Sequence, residues 1–125
     1  MTEELHILEG ELKELETKIH KTAELHRNEA KAYGDAKAKF EIAQANALLN
    51  IFSFETETGE KNTESVRKAK ALKRCESEYM DYRIAEANAD SSREVLRAFL
   101  AQLTSVQTRC GLLKAEASLV AGNYK

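Results

Sequence analysis

A chain of 125 residues, 42% hydrophobic and 32% charged, with no Pro, no Trp and five Gly, has the size of one domain and the composition of helix. Aromatic residues make up 6%, too few for a thick globular core, and Ala supplies much of the apolar surface, which suits closely packed helices. A net charge of −2 and a sequence pI near 6.0 argue against a uniformly basic nucleic-acid binder, so any such role has to rest on a local concentration of cations.

The first helix is expected to begin at Thr2, whose hydroxyl suits a cap, with Glu3 and Glu4 in the favourable first turn. Leu5, Leu8, Leu12, Leu15 and Ile19 then recur at alternating steps of three and four, the spacing of a heptad seam. This acidic N-terminal helix covers residues 1–28 and weakens at Thr22 and His26. A second helical stretch, 29–52, continues the stripe with smaller residues through Ala30, Tyr33, Ala36, Phe40, Ala43 and Ala47. Residues 53–62 hold the local minimum of helix propensity around Gly59, and read as a loop that reverses the chain. Asn62 or Thr63 caps the next helix.

The return helix is expected over 63–120, with a tail at 121–125 that frays. Its later half carries the cleanest pattern in the chain: Leu96, Phe99, Leu103, Val106, Cys110, Leu113, Ala117 and Val120. The earlier half is looser, with a register slip between Tyr79 and Ala85 that bends a supercoil. Ala-Asn-Ala-Asp-Ser-Ser at 87–92 leaves two readings open, a continuous helix and one broken near 88–92. The fold class expected is therefore all-α: a long antiparallel helical hairpin with an N-terminal helical segment and coiled-coil-like packing. The long stripes need cover, either by folding back on each other or from another copy, and a homo-oligomer is expected. Leu5, Leu8, Leu12, Leu15, Ile19, Leu96, Phe99, Leu103, Val106 and Leu113 form the candidate oligomer or partner seam.

No signal peptide is read at the acidic start, and no run approaches the ~20 apolar residues of a membrane span. The expected location is the cytoplasm, that of the host if the chain is phage-encoded. Cys75 and Cys110 read as buried small hydrophobes. His6, His20 and His26 lack metal-site spacing, and no Gly-rich phosphate loop, nucleophile elbow or Cys–His pair is present, so neither enzyme activity nor a cofactor is expected.

The feature that stands out is basic. Between Lys61 and Arg74 the chain places Lys61, Arg67, Lys68, Lys70, Lys73 and Arg74 against Glu64 alone. Arg67, Lys70 and Arg74 share one helical face, with Lys61 and Lys73 nearby. Two readings stand: a solvated face balanced by neighbouring glutamates, and a phosphate-contacting ridge formed by Lys61, Arg67, Lys70, Lys73 and Arg74. Tyr79 and Tyr82 come next, as core residues or as platforms for unpaired bases.

In layout the chain resembles the UvsY family of phage recombination mediators. The segments that carry the resemblance are Glu29-Ala30-Lys31-Ala32-Tyr33, the loop Glu55-Thr56-Glu57-Thr58-Gly59, and Ala115-Glu116-Ala117 through Ala121-Gly122. The resemblance implies a ring-like homo-oligomer that loads a RecA-type recombinase onto single-stranded DNA and displaces single-strand-binding protein. That family carries basic residues on the helix end before the loop, where this chain has Ala47 through Phe52. A DNA contact is accordingly expected across the loop, at Lys61 to Arg74. The alternative is a helical protein-interaction module, an adaptor or a phage-encoded inhibitor of a host factor, docking through the Leu5–Ile19 stripe.

Overall fold

The computed structural model describes residues 2–123. Among them the fold is all-α, with α1 at Thr2–Thr58, α2 at Glu64–Arg74 and α3 at Glu76–Asn123. None of these helices is long and apolar enough to cross a membrane. The Thr2 side chain and the last two residues of the tail lie outside the described residues. Two compact units divide the chain: one joins the segment up to Arg27 with that from Ser91 onward, the other is Asn28–Asp90.

In the first unit the leucine seam of α1 runs antiparallel to the end of α3. Leu8, Leu15, Val106 and Cys110 are buried together, flanked by Leu5, Leu12, Phe99, Leu103 and Leu113. Of the two ways to cover the stripes, this is the fold-back within one chain. Each such side chain withdrawn from water contributes on the order of 1.5–3 kcal/mol. The seam is shorter than the stripe: Ile19 and Leu96 are half-buried, while Ala117 and Val120, expected to continue it, are exposed. Past Ile19 the contact turns polar, and His26 Nδ1 shares a 2.9 Å hydrogen bond with the hydroxyl of buried Ser92.

The second unit is built from smaller side chains. Ala71 is fully buried against Ala47 and Ile51, with Leu48 alongside, so α1 and α2 meet through two alanines. Further from the turn, Tyr33, Phe40, Tyr79 and Tyr82 form an aromatic cluster with ring centroids 5.3–5.7 Å apart in its closest pairs. The Tyr33 hydroxyl donates to Glu86 Oε2 at 3.4 Å.

The chain reverses later than expected. Helix α1 continues through the segment read as a loop and stops at Thr58, and the irregular connection is 59–63. Gly59 adopts φ 74° and its N–H donates to the Glu55 carbonyl at 2.8 Å, a left-handed stop that suits Gly because it lacks Cβ. Thr63, extended at φ −71° and ψ 162°, caps α2 by accepting from the Val66 N–H. The return is interrupted at Cys75, whose N–H is shared between the carbonyls of Ala71 and Leu72 at 3.2 Å each. Between Tyr79 and Ala85, where a register slip was expected, α3 runs on as continuous helix. No break occurs at 88–92, which is continuous helix: there Ser92 is buried and hydrogen-bonded by His26, and tertiary packing overrides poor propensity.

Candidate nucleic-acid interface at the helix turn

The basic segment lies on α2 and its lead-in, facing the last turns of α1. Its organising group is a carboxylate. Glu55, 9% exposed, accepts Arg67 Nε on both oxygens at 3.0 and 3.1 Å and pairs with Arg67 Nη2 at 3.0 Å. Asn62 Nδ2 donates to the same carboxylate at 2.8 Å, and Lys70 Nζ donates to Asn62 Oδ1 at 3.1 Å. The Arg67 hydrogen bonds, aided by that from Asn62, hold the Glu55 carboxyl below its ordinary 4.5 against the opposing effect of burial. Reciprocally, the carboxylate raises the affinity of Arg67 for its proton. The guanidinium also lies 4.7 Å from the centroid of the Phe52 ring, over its face.

This geometry divides the candidate ridge. Arg67, expected to contact phosphate, is committed to Glu55 and Phe52 and holds the turn together. Lys68, the neighbouring cation, pairs with Glu64 at 3.4 Å. Lys61, Lys70, Lys73 and Arg74 are exposed, with Lys70 steadied by Asn62. Lys70, Lys73 and Arg74 line one cleft of about 360 Å³ together with Asn62, Ile51 and Phe54. Lys61 is not among its lining residues.

Tyr79 and Tyr82 take the first of their two readings. Both are half-buried in the aromatic cluster, and Tyr82 stacks on Phe40 and Tyr33 at interplanar angles of 14° and 25°. Tyr79 is tilted against Phe40 and Tyr82 at 55° and 42°. The aromatic residue available beside the cations is Phe54, which sequence reasoning assigned to a loop. The signal was there: a phenylalanine between Ser53 and Glu55, in a polar run just before a basic helix.

The leucine seam is not available either. Leu5, Leu8, Leu12 and Leu15 pack against Phe99, Leu103, Val106 and Leu113 within one chain, so α3 occupies the surface considered for a foreign helix. A different apolar row is exposed. Ala38, Ile42, Ala45 and Leu49 succeed one another along α1 at steps of four and three, on the side away from Phe40, Ala47 and Ile51. Ile42 and Leu49 are 63% and 64% exposed. Cys75 and Cys110 are buried free thiols, and burial pushes the Cys75 thiol up. Among the described residues no three His, Cys, Asp or Glu side chains gather as a metal site. No protein-family model, curated protein or solved structure matches this chain.

Proposed function

We propose that the protein is a non-enzymatic accessory of phage-type DNA recombination or replication that binds single-stranded DNA through the turn-proximal end of its second unit. One observation carries this reading. Two of the neighbouring carboxylates are held in pairs, Glu55 with Arg67 and Glu64 with Lys68, and Lys61, Lys70, Lys73 and Arg74 are exposed around the turn, flanked by Glu57, Glu60, Glu76 and Glu78. A chain of net charge −2 thereby gathers three of its cations, Lys70, Lys73 and Arg74, on one cleft. The resemblance to phage recombination mediators supplies the rest of the proposal: aid in loading a RecA-type recombinase, with single-strand-binding protein as the species displaced.

Four phosphates neutralised per chain correspond to a slope of roughly −3 in log affinity against log salt, at about −0.7 per contact on a single strand. Affinity should then fall about fifty-fold between 50 and 200 mM salt. Fluorescence anisotropy with a long oligonucleotide measures it. The double reversal Lys73→Glu with Arg74→Glu should weaken binding to every sequence alike and flatten the slope to about −1.4 or less. A slope near zero, or no binding at low salt, removes the proposal.

Self-association belongs to the same reading, on the outer row of α1 and not on the leucine seam. The observation favouring it is that this half of α1 is apolar on two opposite faces, one packed against α2 and α3, the other open. Assembly would repeat the basic patch and raise avidity for a continuous strand. Ile42→Glu with Leu49→Glu should convert an assembly seen by sedimentation into monomer with the helix content intact. Were the wild type already monomeric at micromolar concentration, assembly through this row would be excluded.

A further inference from the structure

The cleft between the end of α1 and α2 joins two chemistries that a charged ridge alone does not require. One wall is apolar, Ile51 and Phe54; the other carries Lys70, Lys73 and Arg74, with the Asn62 amide between them. Its volume of about 360 Å³ falls within the roughly 300–1,000 Å³ of small-molecule clefts. An inorganic anion would need only the cations, and an apolar peptide only the wall. A nucleotide needs both, because it carries a flat π-face and a phosphate on one short tether.

The two phenylalanines at this end differ in what covers them. Phe52 has the Arg67 guanidinium over its ring, held there by Glu55. Phe54 is 49% exposed and shares its cleft with three cations. The backbone beneath it is fixed, since the Phe54 carbonyl accepts the Thr58 hydroxyl at 2.8 Å inside the last turn of α1. From this we infer that Phe54 is a stacking platform for one unpaired base, with that nucleotide's phosphate on Lys70, Lys73 and Arg74. The inference rests on the single-strand reading above and deepens it. It turns a general polyanion surface into one that selects single strands, because bases paired and stacked within a duplex present no open face to a side chain. Selection is tolerant of sequence, since every base has a π-face.

The chain contains no Trp, so Phe54→Trp installs a unique fluorophore in the cleft. The experiment titrates this variant, and Phe52→Trp as control, with oligo(dT), a duplex of equal length and a poly-glutamate peptide, reading Trp emission and ligand anisotropy together. Saturable quenching at position 54 by oligo(dT), with little from the duplex or at position 52, is the expected result. In the otherwise native chain, Phe54→Ala should lower single-strand affinity roughly 5- to 150-fold, the worth of one stacked base, leave the salt slope unchanged and abolish the preference over duplex. Phe54→Tyr should restore it. Binding of oligo(dT) by anisotropy without quenching at position 54 overturns the stacking site and leaves the single-strand reading standing. No binding in either channel overturns both. Poly-glutamate binding as tightly as oligo(dT) marks the cleft as a site for acidic protein segments and overturns the nucleotide assignment.

Discussion

The two units solve the same problem, two antiparallel helices in water, with different side chains. The first relies on large ones: Leu8, Leu15 and Val106 interdigitate along a seam, and little chemistry is left over. In the second, alanines such as Ala47 and Ala71 bring backbones close, and the stability that small side chains cannot supply comes from an aromatic cluster and a carboxylate-centred network. Both units also leave large apolar side chains exposed, Ile7, Leu112 and Leu119 in the first and Ile42, Leu49 and Phe54 in the second. What separates the units is the contact itself: a buried leucine seam in the first, and in the second an alanine contact beside a turn that gathers Lys70, Lys73, Arg74 and Phe54 around one cleft.

This contrast breaks first at the seam. Leu8→Ala empties a position 5% exposed and should cost 2–5 kcal/mol, roughly the range for truncating a buried leucine. Ile42→Ala, exposed on the outer row, should change stability by less than about 0.5 kcal/mol. Urea denaturation monitored by circular dichroism, run below the concentration at which the chain self-associates, measures both, and equal costs would mean that the outer row is covered within the single chain. Affinity for single-stranded DNA, measured below the transition, should be unaffected by Leu8→Ala.

The complementary substitution runs from small to large. Ala71 is fully buried where α2 meets α1, so Ala71→Leu has no space to enter without parting the helices. Overpacking of this kind costs about 1–3 kcal/mol. Unlike the seam variant, it should also weaken DNA binding, because α2 carries Lys70, Lys73 and Arg74 around the same cylinder. Thermal melts paired with anisotropy separate the two units: stability lost without binding at Leu8, both lost at Ala71.

What could be read from the chain divides along the same line. Leu5 to Leu15 and Phe99 to Leu113 announce themselves by spacing, because large side chains on a regular helix leave a periodic trace. The second unit depends on pairings invisible to periodicity. Ser53 to Thr58 looks like loop by propensity, yet Thr56 and Thr58 return their hydroxyls to the carbonyls of Phe52 and Phe54, and Glu55 is tied to Arg67 twelve residues on. The basic ridge was legible as charge, but its division was not. Nothing in the order Arg67-Lys68-Ala69-Lys70 tells that the first cation is consumed by a glutamate across the turn. Likewise Ser92, polar in a polar run, stays helical because His26 meets it from another part of the chain.

The finest test of the contrast is pH. Glu55 is the anionic centre of the turn in the second unit, and its carboxyl is held below 4.5 first by the Arg67 hydrogen bonds and then by Asn62. A carboxyl whose folded value is depressed contributes stability that is full above its unfolded value and is lost as pH falls through the folded one. The contribution of Glu55 is therefore complete at neutral pH, begins to decline near pH 4.5 and disappears below its depressed folded value. Glu55→Gln keeps an acceptor for Arg67 without the charge, so the difference in melting temperature between the native chain and the variant should be constant from pH 7 to about 5 and shrink below that. Other carboxylates titrate in the same range, but they cancel in the difference. The same variant releases Arg67 from its ion pair and adds one uncompensated cation to the patch. The salt slope of DNA binding should steepen by about 0.7 as the stability falls. A variant that loses stability with no change in slope would mean that Arg67 stays fixed over Phe52 without its carboxylate, and that the guanidinium serves the turn alone.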